Sequence, residues 1–467
     1  MSEPISPRAV RDFLHRANEI TIEPIDERPY DELVERWRAL GLRRGDLALL
    51  SLPNSIALLR HFFAVIESGG VPALIAPGTR SARLHELADA MGARAIACLA
   101  LPAPTTSVAS VERVERVGRI EVALLAPSRA PAGSAGEVVL LTSGTSGSSS
   151  GCVTSIEAIL RNGVRHADAI GQRPHDSVLV SLPLHFSFAL VAQALGTLAR
   201  GGRLVIAGPP FVPERYSRSL EANAIDVSAL SPTQVRMLLA QQVRIPESLR
   251  VLSVGGDSLA PEHVAQLLRE RPRGELYLTY GLTQAGPRVA TLSAHAEPAS
   301  RHASVGLPLA GTSVELEGLG DGSGRTQLIV RSDTVMRRRI GLVEGRNSDD
   351  LRAPGVLATG DLFDRDDDGY LFYRGRLSEY ILRGGEKVSL ASIRRLVTSM
   401  PGVVAARTPT EATADGEDYD LLLVMADGVP APSPTECRTF LARVVRRAEL
   451  PRSVQIVDAI DARMGHK

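Results

Sequence analysis

VVLLTSGTSGSSSGCV, residues 138–153, opens as an apolar strand and passes into ten residues, 142–151, made only of Thr, Ser and Gly. Glycines let backbone N–H groups turn inward and approach an anion closely, and the hydroxyls add donors. Such a loop can cradle a polyphosphate. A flexible Ser/Gly linker is the alternative. The flanks oppose it, because a buried strand precedes the run and a helix is expected from Ser155 to Ala169. The GK[ST] ending of a Walker loop is missing.

Outward from this loop, strands and helices alternate. On the N-terminal side, Tyr30 to Leu42 places Leu33, Trp37 and Leu40 at helical spacing. Asp46 to Leu52 and Val71 to Ile75 are short apolar strands, separated by an apolar helix from Ser55 to Ser68. On the C-terminal side the same rhythm returns between Ser177 and Val254, in SVLVSL, RLVIAG, VSALS and LRVLSVGG. This pattern predicts an α/β fold with parallel-rich sheets and crossover helices. Leu101–Ser107 and Ala126–Ala135, rich in Pro, Ala and Ser, read as exposed connections. From Thr312 to Tyr373 strands shorten and turns multiply. After Leu377 a compact piece of strand, helix, strand, helix and tail is expected, which puts a boundary near Arg376–Ser378. The expected organisation is a large N-terminal domain, 1–376, and a small α+β C-terminal domain, 377–467, joined by a hinge.

The 467 residues are 44% apolar and 23% charged, which excludes a disordered chain. Lys plus Arg and Asp plus Glu are both 53, so the excess of positive charge that nucleic-acid or membrane binding needs is missing. Aromatics are 4%, too few for base-stacking platforms. No run of about 20 apolar residues is present to span a bilayer. Cys98, Cys152 and Cys437 lie too far apart for a disulfide framework or a metal knuckle. With no signal pattern in MSEPISPRAV, a cytoplasmic location is expected.

TSGTSGSSSG (142–151) resembles the phosphate loop of the adenylate-forming superfamily, roughly [ST]SGTTGxPKG. That superfamily includes acyl-CoA synthetases, peptide-synthetase adenylation domains and luciferases. Further likenesses follow in the family's order. They are LGLRRGD (40–46) with LPNS (52–55), SLPLHFSFAL (181–190), LRVLSVGGDSLAPE (249–262), TYGLTQ (279–284) and SVGLPLAGTSVEL (304–316). The longest is TGDLFDRDDDGYLFYRGRLSEYILRGGEKVSLASI (359–393). The resemblance spans roughly residues 30 to 467.

The resemblance implies ATP-dependent activation of a small aryl or short acyl carboxylic acid as an acyl-adenylate. Transfer to a thiol then follows, on CoA or on the phosphopantetheine arm of a carrier protein. It implies nucleotide contacts by Thr142, Ser143, Gly144, Thr145, Ser146 and Gly147, by Tyr280 and Gly281 near the adenine, and by Thr283 at the α-phosphate. Asp361 would hold the ribose hydroxyls and Arg376 the ribose or phosphate. Phe186, Phe188, Gly255, Gly256 and Thr279 would line the acyl pocket, and Gly384 and Gly385 the thiol's path. Thr283 and Lys467 would be the catalytic residues. ATP and Mg²⁺ are the implied cofactors.

The chain departs from the family's pattern in several places. Ser149-Ser150-Gly151 replaces PKG, so the loop lysine is gone, which is expected to weaken ATP turnover unless another cation of the loop substitutes. Gln284 replaces the glutamate of YGxTE and offers Mg²⁺ only a carbonyl oxygen. Ser378 stands at the hinge, and the family's pocket histidine falls on Phe186, with His185 one position before it. The terminal AIDARMGHK puts Lys467 on the family's lysine but His466 on its glycine. Asp257, beside the Gly255-Gly256 pair, has two readings: it meets an amino group on the substrate, or it caps a helix from Ala260 to Arg269, the cap being the favoured one. The two lost polar groups leave a second reading: an ATP-independent acyltransferase on the same scaffold, moving an acyl group from CoA to a carrier protein. A third is a catalytically degenerate partner protein.

Overall fold

The computed structural model describes residues 6–20, 24–99, 111–126, 131–142, 150–320, 324–341, 350–383, 386–413, 416–429, 432–445 and 447–457. Among these residues two eight-stranded sheets dominate. The first sheet runs Asn18–Ile20, Arg203–Ala207, Ser177–Val180, Val227–Leu230, Val251–Gly255, Glu275–Tyr280, Ala290–Ser293, Leu307–Pro308. It is parallel up to Glu275–Tyr280, and the last two strands turn antiparallel. The second runs Arg338–Ile340, Gly151–Ser155, Glu137–Leu141, Val71–Leu74, Leu47–Ser51, Ala93–Cys98, Ile120–Leu125, Val111–Val117.

The expected parallel units are present. Leu47–Ser51 pairs in parallel with both Val71–Leu74 and Ala93–Cys98. The helix Ile56–Glu67 crosses between the first two, and the Ser55 hydroxyl starts it by accepting from the Leu58 N–H. An apolar core joins the two sheets through the helix Ile156–Ala169 and the π-type turn of helix Phe188–Leu195. A five-stranded, all-antiparallel sheet follows, built from Thr312–Gly318, Thr326–Ser332, Val356–Arg365, Leu351–Ala353 and Leu371–Arg376. The chain is thus a mixed α/β protein with a large parallel-rich N-terminal domain and a smaller C-terminal one.

Three expectations need correction. The helix expected from Ser155 forms over Ile156–Ala169 with Ser155 as its cap, but an unforeseen strand lies between it and the Thr/Ser/Gly run. Gly151–Ser155 returns as a strand antiparallel to Glu137–Leu141, so the run connects a β-hairpin. The reason is the β-branched pair Val153-Thr154, which favours a strand and is buried with the rest of Gly151–Ser155. Gly151 is required there, because a Cβ would lie 2.5 Å from Val139 Cγ1. Asp257 does not cap a helix. The helix begins at Pro261, out of the side chain's reach, and Asp257 accepts instead from the Ser258 N–H at 2.7 Å. The C-terminal piece holds more strands than the four-element reading. Tyr380–Arg383, Glu386–Ser389, Gly416–Tyr419 and Thr410–Thr413 form one small sheet, and Val403–Arg407, Leu421–Met425 and Val454–Ile456 another. They pack with the helices Leu390–Thr398 and Pro434–Val444. The small domain touches the large one where Arg236 donates from Nε to the Val404 carbonyl at 2.8 Å.

Candidate active site

The parallel strands of the first sheet end at Gly255 and Tyr280, register neighbours being Gly255 and Thr279. In open α/β sheets ligands collect beyond such carboxyl ends. Tyr280 is the last residue of its strand, and the chain then reverses through Gly281. A side chain at 281 is impossible, since a Cβ would sit 1.7 Å from the Pro287 carbonyl oxygen. The reversal closes with the Val289 N–H donating to the Tyr280 carbonyl at 2.9 Å.

Asp361 and Arg376 face each other across the antiparallel pair Val356–Arg365 and Leu371–Arg376. Arg376 Nε donates to Asp361 Oδ1 at 2.6 Å, and the Tyr280 hydroxyl donates to Oδ2 at 2.7 Å. Asp361 is 2% exposed, so these bonds form away from bulk water and gain strength. Its own N–H is held by Thr359 Oγ1 at 3.0 Å, which fixes the turn. Burial, and then the Asp361 charge, push the Tyr280 phenol well above its ordinary range, so it remains a donor. The Asp361 carboxylate holds Arg376 above the ordinary guanidinium range. Each carboxylate oxygen keeps a second lone pair for a ligand hydroxyl. Phe363 packs edge-on against Tyr280, ring centroids 4.8 Å apart, and Tyr373 edge-on against Phe363 at 5.6 Å. Phe363 and Tyr373 come from the two antiparallel strands that also carry Asp361 and Arg376, where they are register partners.

Thr283 lies beside Ser187, hydroxyl oxygens 3.0 Å apart. Gln284 is fixed through its backbone, its carbonyl accepting from the Met336 N–H at 2.8 Å. Phe188 is buried, while Phe186 is 48% exposed and leans on His185 at 4.3 Å between centroids. Burial brings the His185 imidazole down to about 4, so it is neutral near pH 7. Gly256 has a positive φ of 97° and open space around it.

Ser143, Gly144, Thr145, Ser146, Gly147, Gly384, Gly385 and Lys467 lie outside the described residues. The stem of the loop is described. The Thr142 N–H and hydroxyl both reach the Ser150 carbonyl, at 3.0 and 3.2 Å, and the two side-chain hydroxyl oxygens are 3.0 Å apart. Arg339 completes this stem. It lies on Arg338–Ile340, the strand paired with Gly151–Ser155, and its Nη1 donates to Ser150 Oγ at 2.9 Å. Asp350 holds the other side of the guanidinium. Sequence reasoning allowed for a substitute cation only within the loop itself. The only trace was the triple arginine 337–339.

Among the described residues no cluster of three or more His, Cys, Asp or Glu side chains is placed to hold a metal ion. No described helix is long and apolar enough to cross a membrane. The three cysteines are buried and unbridged.

A family model described as "AMP-binding enzyme" matches residues 33–338. The chain is 30% identical over 273 residues to the 2-succinylbenzoate–CoA ligase of Bacillus licheniformis, covering 57% of this chain and 55% of that ligase. It is 29% identical over 470 residues to pyochelin synthase PchD of Pseudomonas aeruginosa, covering 92% and 84%. In fold it matches the O-succinylbenzoate coenzyme A synthetase MenE from Bacillus subtilis, solved with AMP, at a TM-score of 0.76 and 20% identity over 99% of this chain and 97% of that one. It matches the amide bond synthetase McbA from Marinactinospora thermotolerans at 0.73 and 22%, over 98% and 97%. With the match to the family model spanning most of the large domain, the chain belongs to the family of AMP-binding enzymes.

Proposed function

We propose that this protein activates a carboxylic acid with ATP and passes the acyl group to a thiol. A carboxylate oxygen attacks the α-phosphorus of ATP, and the bond to the pyrophosphate oxygen breaks. The product is an acyl-adenylate. A thiol then gives up its proton and attacks the acyl carbon, and the C–O bond to AMP breaks. The thiol belongs to CoA or to a carrier-protein phosphopantetheine.

The observation that carries this reading is the Tyr280–Asp361–Arg376 cluster, in which a buried carboxylate is held between a phenol and a guanidinium. It is built to accept from a pair of vicinal hydroxyls, as a ribose offers. Thr283 and Ser187 supply hydroxyls for the α-phosphate. Arg339 supplies the cation that the phosphate loop lacks. Its charge would fall on the departing pyrophosphate, where charge develops in the transition state. The stem supports this assignment because Ser150, which it touches, stands where the family carries lysine.

Mg²⁺ finds no carboxylate at position 284. The neutral amide is a weak hard-cation ligand, so the ion is expected to arrive with the triphosphate, and no step is assigned to it. The small domain from about residue 377 is taken as the part that reorients between the two half-reactions, with Gly384 and Gly385 along the thiol's path. The absence of carboxylate at 284 favours the ATP-independent acyltransferase as second reading; Arg339 at the loop stem weighs against it. Pyrophosphate release across a panel of carboxylic acids separates the two. Acid-dependent release is expected. Acyl transfer from CoA thioesters with no release at all would replace the first reading by the second.

A further inference from the structure

Arg288 is 3% exposed, yet no ion pair joins it to a described carboxylate. Its Nε donates to the Pro287 carbonyl at 3.1 Å and its Nη1 to Thr279 Oγ1 at 2.8 Å. The guanidinium carbon lies 4.2 Å from the centroid of the Phe188 ring. An arginine has five N–H donors. Those of Nη2 meet no described acceptor, and Nη2 is not among the atoms sealed in the packing. The neighbouring ionisable groups do not balance the charge. Burial, then the Arg288 charge itself, bring the His166 imidazole down to about 3, so it is neutral. The Tyr280 phenol stays protonated. Burial brings the guanidinium down to about 9, which still leaves it cationic near pH 7.

The surroundings are built to hold this cation in place. Asn162 clamps its backbone, accepting from the Arg288 N–H and donating to the Arg288 carbonyl, both at 2.8 Å. Gly255 makes room, because a Cβ there would come within 2.9 Å of Nη1 and 2.4 Å of Thr279 Oγ1. A buried, unpaired charge is strongly disfavoured in a folded protein unless a ligand completes it. Phe188, Gly255 and Thr279, which surround the guanidinium, are three of the residues expected to line the acyl pocket.

We propose that Arg288 is the recognition point for a second anionic group on the acid, and that the substrate is a dicarboxylate whose far carboxylate accepts from the Nη2 donors of its guanidinium. The Phe188 ring then lies beside the carbon skeleton, and one carboxylate pairs while the other reacts. This assignment rests on the acid-activating reading above.

The test uses acid pairs in which a methyl group replaces the distal carboxylate: pentanoate and glutarate, hexanoate and adipate, para-toluate and terephthalate. Adenylation is read as hydroxamate formed in the presence of hydroxylamine, and binding by calorimetry without ATP. The full-length wild type is expected to favour the diacid in at least one pair by about tenfold or more in kcat/KM. In Arg288→Met that diacid-to-methyl ratio falls by roughly 10- to 100-fold, as for loss of a charged hydrogen bond. Arg288→Lys keeps part of it. A preference for the methyl members, or a ratio unchanged in both variants, would overturn the proposal and leave Arg288 a packing residue. If no acid is adenylated, the acid-activating reading fails by itself, and calorimetry decides the site. A diacid binding about tenfold tighter than its methyl partner to wild type but not to Arg288→Met supports it, and equal or absent binding refutes it. Circular dichroism melts of each variant confirm that the comparison is between folded proteins.

Discussion

Arg339 Nη1 lies 2.9 Å from Ser150 Oγ, so a guanidinium reaches the base of the phosphate loop from a neighbouring strand. The loop's own chain carries a serine where a cation is expected. On the proposed function, Arg339 takes the place of that cation from a neighbouring strand. Removing it by Arg339→Ala is expected to lower kcat/KM for ATP by roughly 10- to 100-fold, the range for losing one charged contact to a developing anion. Steady-state pyrophosphate release measures it, and an unchanged rate would remove Arg339 from the chemistry.

The same contact makes a reciprocal prediction. Ser150 is nearly buried, and a lysine there meets Arg339 directly. Ser150→Lys alone is expected to lower activity and melting temperature, because two cations would share one pocket. Ser150→Lys combined with Arg339→Ala is expected to recover activity above that of Arg339→Ala. The coupling in this double-mutant cycle is the quantity to measure.

Asp361 is the next target. Asp361→Asn keeps the size but removes the charge that Arg376 pairs with, and that ribose hydroxyls would use on the proposed function. AMP affinity in calorimetry is expected to fall by at least about tenfold, since hydrogen bonds to charged groups are worth roughly 1.5–3 kcal/mol. Equal affinity would mean that the ribose lies elsewhere.

Gln284→Glu restores a hard-cation ligand. The Mg²⁺ concentration for half-maximal activity is expected to fall by about fivefold or more, because a carboxylate outbinds an amide for this ion. Titration of activity with MgCl₂ after chelation is the assay.

Glu137 links stability to pH. Burial pushes its carboxyl up, but hydrogen bonds from Arg338, the Ser134 N–H and Arg337, together with the Arg338 charge, outweigh that and hold it below the ordinary range. A depressed carboxyl stabilises the fold above its unfolded value of 4.5, and that contribution is lost as pH falls through the lower folded value. Thermal melts of wild type are therefore expected to drop below about pH 4.5 more steeply than those of Glu137→Gln. Glu137→Gln is expected to be less stable than wild type at pH 7. Parallel profiles would show that the Glu137–Arg338 pair carries no such linkage.

Much of the fold was legible because hydrophobic periodicity is local. The runs at Leu47, Val71, Ser177, Val227 and Val251 are apolar on both faces and short, as parallel strands between helices must be. The hairpin return at Gly151–Ser155 was hidden because Gly and Cys weaken its strand signal, and because a helix follows within a few residues. Tyr280, Asp361 and Arg376 were legible as motif positions. Their mutual contacts were not, since 81 residues separate the first two. Arg339 and Arg288 were illegible for a simpler reason. Each looks like one more surface arginine until the fold shows what it touches and what it lacks.

Transfer of a heavy-oxygen label tests the central claim most directly. An accepted acid carrying the label in its carboxylate is incubated with ATP and the thiol, and AMP is recovered for mass spectrometry. Attack of the carboxylate on the α-phosphorus predicts AMP bearing one labelled oxygen, in amounts matching the thioester formed. Thioester formed without labelled AMP would contradict the adenylate route.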